Sequence, residues 1–194
     1  MRVKRVFISL VCLIVVSLSS FGQVAVKTNL AMDAVAIPNL GVEVGLSKKF
    51  TLDVPVYYNP WESVAWKHDD NKLFKLLMVQ PELRYWLCDK FNGHFFGLHA
   101  MAGTYNTTGI DLSFSPFDDL DSFRYKGHFY GGGISYGYQF ILGRHWSLEA
   151  TVGIGYAHVR YKKYPCEDCA EMIEKDTENY FGPTRAALNL IYAF

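Results

Sequence analysis

The sequence predicts an all-β fold: an eight-stranded, antiparallel, up-and-down transmembrane β-barrel with short periplasmic turns and longer extracellular loops. Three observations point there. Apolar and polar residues alternate along most of the chain, ending in a closing stretch, residues 180–194, whose apolar face reads Ala186, Leu188, Leu190, Tyr192 and Phe194. Period two over about ten residues is what a tilted strand needs to cross a bilayer. The polar face of the strands is crowded with glycine (Gly41, Gly45, Gly97, Gly131, Gly133, Gly137, Gly153 and Gly155 among them). A solvent face gains nothing from glycine, whereas a narrow bore has room for little else beside its long side chains. Finally, connections alternate short and long, as in bacterial outer-membrane barrels.

The first residues are a processing segment. Arg2, Lys4 and Arg5 precede an apolar run, residues 6–18, and small residues follow before Gln23. This is the three-part layout of a secretory signal peptide, so residues 1–22 are expected to be cleaved and residues 23–194 to form the barrel. Cys12 is no lipoprotein site, because Val11 stands where a small residue is wanted. Loss of the three cations leaves the mature chain with net charge about −3, and no basic footprint for nucleic acid is visible. Beyond the leader no segment is long and apolar enough for a membrane helix. An exported chain that spans a bilayer must then do so with strands, since only helices and closed barrels satisfy every backbone group in lipid.

The strands follow in order. Residues 24–34 put Val26, Thr28, Leu30 and Met32 opposite Lys27, Asn29 and Asp33, and the Ile37-Pro38-Asn39 turn follows. Residues 40–46 and 50–57 alternate on either side of a tight reversal at Ser47-Lys48-Lys49. The fourth strand sets Leu77, Val79, Leu83 and Tyr85 against Gln80, Glu82, Arg84 and Trp86, and Pro81 within it predicts a bulge. Residues 94–105, 127–140, 145–161 and 180–194 complete the set. Long polar connections fall at 59–72, 106–126 and 162–179. Aromatics gather at strand ends, with Phe50, Tyr85, Phe140, Trp146 and Tyr192 near one rim and Tyr58, Tyr130 and Tyr156 near the other, as in an interfacial girdle. A soluble eight-stranded barrel has the same period with its apolar face inward. The glycines, the girdle and the terminal Phe194 favour the membrane form, and Tyr192 with Phe194 resembles the insertion signal of such barrels.

The inward parity collects Lys27, Arg84 and Arg185 with Asp33, Glu43, Asp53, Glu82 and Glu149, accompanied by His99, Gln80, Gln139, Asn29 and Asn189. Eight strands leave an interior that side chains just fill. The expectation is therefore a salt-bridged plug centred on Arg84, with Arg84 level with Asp53 and Arg185 level with Asp33. An open polar pore is the rival reading.

Cysteine and histidine carry weaker signals. Cys166 and Cys169 lie close together in the last long connection and are a candidate local disulfide in an exported protein. Cys88 lies on the opposite rim, a bilayer away, and cannot reach them. No further ligands are spaced for zinc, and no cofactor motif is present. Some small outer-membrane barrels modify lipids with Ser, His and an acid, and His128, His158 and Asp111 could be arranged in such a group. No spacing demands it, so no catalytic residue is assigned.

Several strings, KTNL from Lys27, PNLGVEVGL from Pro38, VQPELRYW from Val79, GISYGYQFILG from Gly133 and LEATVGIGYA from Leu148, resemble domain of unknown function 3575, a Bacteroidales family of small exported proteins. The resemblance runs through nearly the whole mature chain. It implies an outer-membrane barrel often encoded near fimbrial subunits, similar to the OmpA barrel, with no assigned catalytic residues. The partners it implies are outer-membrane lipid, the barrel-assembly machinery during insertion, and a fimbrial or other surface protein reached through the extracellular loops.

Overall fold

The computed structural model describes residues 23–60, 63–64, 67–68, 73–108, 123–165 and 174–194. The leader, Asp111, Cys166 and Cys169 lie outside these residues.

Alternation builds the wall. Successive strand residues point to opposite faces, and along Thr151–Tyr156 buried and exposed positions alternate without a break. The elements are β1 (Val24–Asn29), α1 (Leu30–Ala34), β2 (Asn39–Gly45), β3 (Phe50–Asn59), the two-residue strands β4 (Ser63–Val64) and β5 (Lys67–His68), β6 (Leu73–Val79), β7 (Glu82–Trp86), β8 (Gly93–Thr108), β9 (Phe123–Ile141), β10 (Trp146–Pro165) and β11 (Glu174–Ala193). β4 and β5 pair only with each other. β6 and β7 are two halves of one strand, so the barrel has eight antiparallel strands, closed where β1 pairs with β11 with Val26 opposite Tyr192 and Thr28 opposite Leu190. Closure removes the free sheet edges. One rim carries the turns at 46–49, 87–92 and 142–145 together with Gln23 and Phe194; the other carries α1 and the far ends of β3, β6, β8, β9, β10 and β11.

The first strand is shorter than its alternation predicts. It stops at Asn29, whose side chain caps α1 by accepting from the Ala31 N–H at 3.2 Å and also accepts from the Leu188 N–H at 3.2 Å. The chain therefore leaves the wall before Asp33. Asp33 accepts from the Thr28 hydroxyl at 2.6 Å and from Asn39 Nδ2 at 2.9 Å, holding the β1–β2 connection together instead of lining the bore.

Pro81 interrupts the ladder without inserting a residue. Val79 opposes Val56 and Glu82 opposes Asp53, so the register is the same on both sides and the expected bulge is absent. The Gln80 N–H reaches Pro55 O at 3.1 Å and Pro81 O accepts from the Ala100 N–H at 3.0 Å, which leaves only the missing proline donor as the break. The bulge lies in β11 instead: Gly153 opposes Arg185 but Ile154 opposes Pro183, making Thr184 the extra residue.

β9, β10 and β11 also run further than expected, into the stretches read as long polar connections. Lys162 still pairs with Lys126 on β9 and with Lys175 on β11, so cross-strand pairing carries these ladders beyond the apolar band. On the wall, rings meet near the short-turn rim: Phe50 with Tyr85 at 5.2 Å, Tyr138 with Phe140 at 4.4 Å, and Trp146 with Tyr192 at 5.1 Å between centroids.

Candidate functional site

The bore is filled in storeys. Nearest the short turns, Ala25, Phe91 and Ile191 pack as an apolar floor. Trp86 joins them, 4.8 Å from the Phe95 ring and donating its indole N–H to Thr51 Oγ1 at 2.9 Å. Gly137 seats Phe95, because a Cβ there would run into the phenyl ring.

Above this floor lies the charged storey. Arg84 is fully buried, its Cζ 4.4 Å from the centre of the Phe95 ring. Its Nη1 and Nη2 donate to Glu149 at 2.6 and 3.0 Å, its Nε to Glu82 at 2.9 Å, its Nη1 also to Glu43 at 3.1 Å and its Nη2 to Asp53 at 2.9 Å. Lys27 contacts Glu43 and lies 2.9 Å from Glu149. Arg185 lies 2.9 Å from Asp53 and 3.0 Å from Glu82, and donates to Gln80 at 3.2 Å. Thr51 donates to Glu43, Ser135 to Glu82, Thr151 to Glu149 at 3.0 Å and Asn189 to Glu149 at 2.7 Å. Gly97 makes room for the Glu82 carboxylate and Ser135, which a Cβ there would strike. Four carboxylates thus face three cations with almost no access to solvent, and hydroxyls and amides take up further lone pairs, while Asp53 Oδ1, 3.8 Å from Lys27 Nζ, and Arg185 Nε make no hydrogen bond. Buried charges persist only when paired and hydrogen-bonded in this way.

The expected pairing of Arg185 with Asp33 does not occur. Because β1 ends at Asn29, Asp33 leaves the bore, and the β11 bulge turns Thr184 and Arg185 inward together. Thr184 Oγ1 meets His99 Nε2 at 2.9 Å while Arg185 reaches Asp53. The other seven charged residues read from the inward parity sit in this storey.

Toward the long-loop rim, Met101, Ala157 and Val159 form a second apolar layer, with Tyr105, Phe129 and Tyr180 against it. Beyond it opens a vestibule of about 970 Å³. Its lining comes from six neighbouring wall strands (β3, β6, β8, β9, β10 and β11), which places it in the mouth of the bore, since the convex outside of a barrel cannot enclose such a space.

The outer wall is the reverse of the bore. Leu98, Ile134 and Val152 are 64%, 62% and 64% exposed, and Phe50, Tyr130, Trp146 and Tyr156 are exposed as well. Among the described residues, the outward positions of β10 from Trp146 to Tyr156 carry no charge. Tyr192 is half-buried and Phe194 exposed, their rings 5.1 Å apart.

His128 and His158 are on this outer wall. His158 Nδ1 is 2.9 Å from Asn179 Oδ1, which also accepts from the Tyr156 hydroxyl at 2.7 Å, and Arg160 Nε donates to His158 at 3.4 Å. No serine belongs to this group among the described residues. Cys88 is exposed as a free thiol. Among the described residues no group of His, Cys, Asp or Glu is arranged to hold a metal ion.

Sequence parity found the charged residues but missed Thr51 and Ser135, which donate to Glu43 and Glu82, and Thr184, which meets His99. The parity of Thr51 and Ser135 was readable, whereas the inward turn of Thr184 depends on the bulge. No curated protein and no solved structure matches this chain. A family described as a protein of unknown function, DUF3575, matches residues 6–194, and the chain belongs to that family.

Proposed function

We propose that this is a non-enzymatic barrel of the bacterial outer membrane, exported with loss of residues 1–22, whose bore is a structural plug and whose long-loop rim is a surface for a protein partner. The observation that carries the reading is the inverted wall, with leucine, isoleucine, valine and aromatic side chains outward and seven charged residues inward. Exposed apolar patches of this extent on a soluble monomer would drive aggregation; in a bilayer they face acyl chains. The dimensions agree: from Trp146 to Tyr156 the strand advances about 25 Å along the axis, taking a rise of about 3.3 Å per residue and a tilt of about 40°. That is the height of an outer-membrane apolar band, with aromatics at both edges.

The two apolar storeys and the charged one between them favour a closed bore over a pore. Tyr192 and Phe194 supply the terminal signal for the assembly machinery, and a fimbrial or other surface protein is the partner suggested for the outer loops. Fractionation of cells and bilayer recordings test the first two parts. The protein should enter the outer-membrane fraction, require detergent, and pass no steady current. A mature chain that stays monomeric in water would overturn the membrane assignment, and sustained conductance would overturn the plug. Deletion of the gene with fimbriae and envelope unaltered would remove the partner role.

A further inference from the structure

On the outer wall above the Tyr130–Tyr156 level, cations face one another directly. Lys126 on β9 opposes Lys162 on β10, and two residues nearer the aromatic level His128 opposes Arg160. All four are exposed, while the residues between them, Gly127 and Tyr161, follow the bore parity, with the Tyr161 ring 5.5 Å from that of Tyr125. Opposed strand positions hold their Cβ atoms about 5 Å apart, and like charges there are destabilising. Positions two apart on one strand are about 6.6 Å apart. The four side chains thus stand on the corners of a small rectangle.

Nothing described on the wall neutralises them. Among the described residues no carboxylate lies within salt-bridge distance of Lys126, Arg160 or Lys162. The nearby acids take the other face: Asp176 pairs with Tyr161 and Glu178 with Val159, both positions of bore parity. Charge is therefore segregated through the wall, cations outward and carboxylates inward. The cations also keep a fixed height. They lie four to six residues beyond Tyr156 along β10, about 10–15 Å up the axis by the same rise and tilt. Headgroups occupy a zone of about 5–7.5 Å on each side of the hydrocarbon. The backbone at these cations thus stands just beyond it, and their long side chains reach back toward it.

We propose that Lys126, His128, Arg160 and Lys162 form a binding site for the phosphate groups of lipid headgroups in the leaflet around the long-loop rim. The proposal rests on the membrane reading above. A phosphate carries up to two negative charges and several acceptor oxygens, so it relieves the repulsion of the opposed pairs and accepts from Arg160 and both lysines at once. Tyr130 and Tyr156, just below, place the lipid's apolar part beside the wall. Lys126, His128, Arg160 and Lys162 also border the vestibule, so a lipid held from the side sits next to its opening.

Native mass spectrometry of the folded, detergent-solubilised mature barrel tests this, with added bis-phosphorylated lipid A, its phosphate-free derivative, and inorganic phosphate as probes. The wild type should retain lipid A, lose it at least tenfold more readily in the Lys126→Gln/Lys162→Gln variant, and show little retention of the phosphate-free lipid. Equal retention by wild type and variant, or equal retention of the two lipids, would overturn the site. Displacement of lipid A by millimolar inorganic phosphate would reject a lipid as its ligand. The variant should keep its heat-dependent gel mobility, because both lysines are exposed and opposed. Insertion into phosphatidylcholine vesicles, scored separately, reports on the membrane reading: insertion without lipid A retention sinks the site alone, and failure to insert sinks both.

Discussion

The guanidinium of Arg84 grips both carboxylate oxygens of Glu149 across the bore, at 2.6 and 3.0 Å, although the two residues stand on β7 and β10 with two strands between them. A planar fork matches a carboxylate in this two-bond geometry, which an ammonium cannot reproduce. The same group also meets Glu43, Asp53 and Glu82, so one side chain ties together acids from three other strand segments and its own.

Arg84→Met should therefore leave four carboxylates with two cations in a site closed to water, at a cost of about 3–5 kcal/mol. Arg84→Lys should recover only part of that, because a point charge cannot serve five acceptors in a plane. Urea unfolding in lipid vesicles reads both. A loss for Arg84→Met no larger than that of an exposed substitution would mean that the network is not centred there.

Arg185 should couple to Asp53 and not to Asp33. A double-mutant cycle of Arg185→Gln with Asp53→Asn should give an interaction of about 0.5–3 kcal/mol, as for groups in direct contact. The same cycle with Asp33→Asn should fall within about 0.5 kcal/mol of additivity. Asp33→Asn alone should loosen the β1–β2 connection, where Asp33 holds Thr28 and Asn39, and hydrogen exchange at Ala36 and Ile37 should rise.

On the outer wall, Val152→Arg separates the two kinds of barrel. Facing acyl chains near mid-depth, the arginine should cost about 2–4 kcal/mol of folding free energy in vesicles. Facing water, it should change stability by no more than about 0.5 kcal/mol. The unfolding midpoint of the variant against wild type decides.

Two glycines make a matched pair. Gly137→Leu should force the Phe95 ring from its seat beside Arg84 and cost about 1–3 kcal/mol by overpacking. At Gly143, in the turn between β9 and β10, an added Cβ would meet nothing within 4 Å, so Gly143→Leu should be close to neutral. Thermal unfolding of both variants in one detergent provides the comparison; equal losses would mean that the bore is not close-packed at Phe95.

The sequence by itself determined the wall: which face of each strand turns outward, the number of strands, the alternation of short and long connections, and, Asp33 apart, which charged residues share the bore. Period two is a local property, since each side chain's face follows from its neighbours along one strand, and Glu43, Arg84 and Glu149 could be placed inside without knowing what they touch. Tertiary structure alone decided the partners. Arg185 meets Asp53 because a capping asparagine ends β1 early and a one-residue bulge at Thr184 turns two consecutive side chains inward, and both depend on hydrogen bonds between strands far apart in sequence. The facing of Lys126 by Lys162 is likewise a matter of register, which the ladder sets and a single strand's pattern cannot.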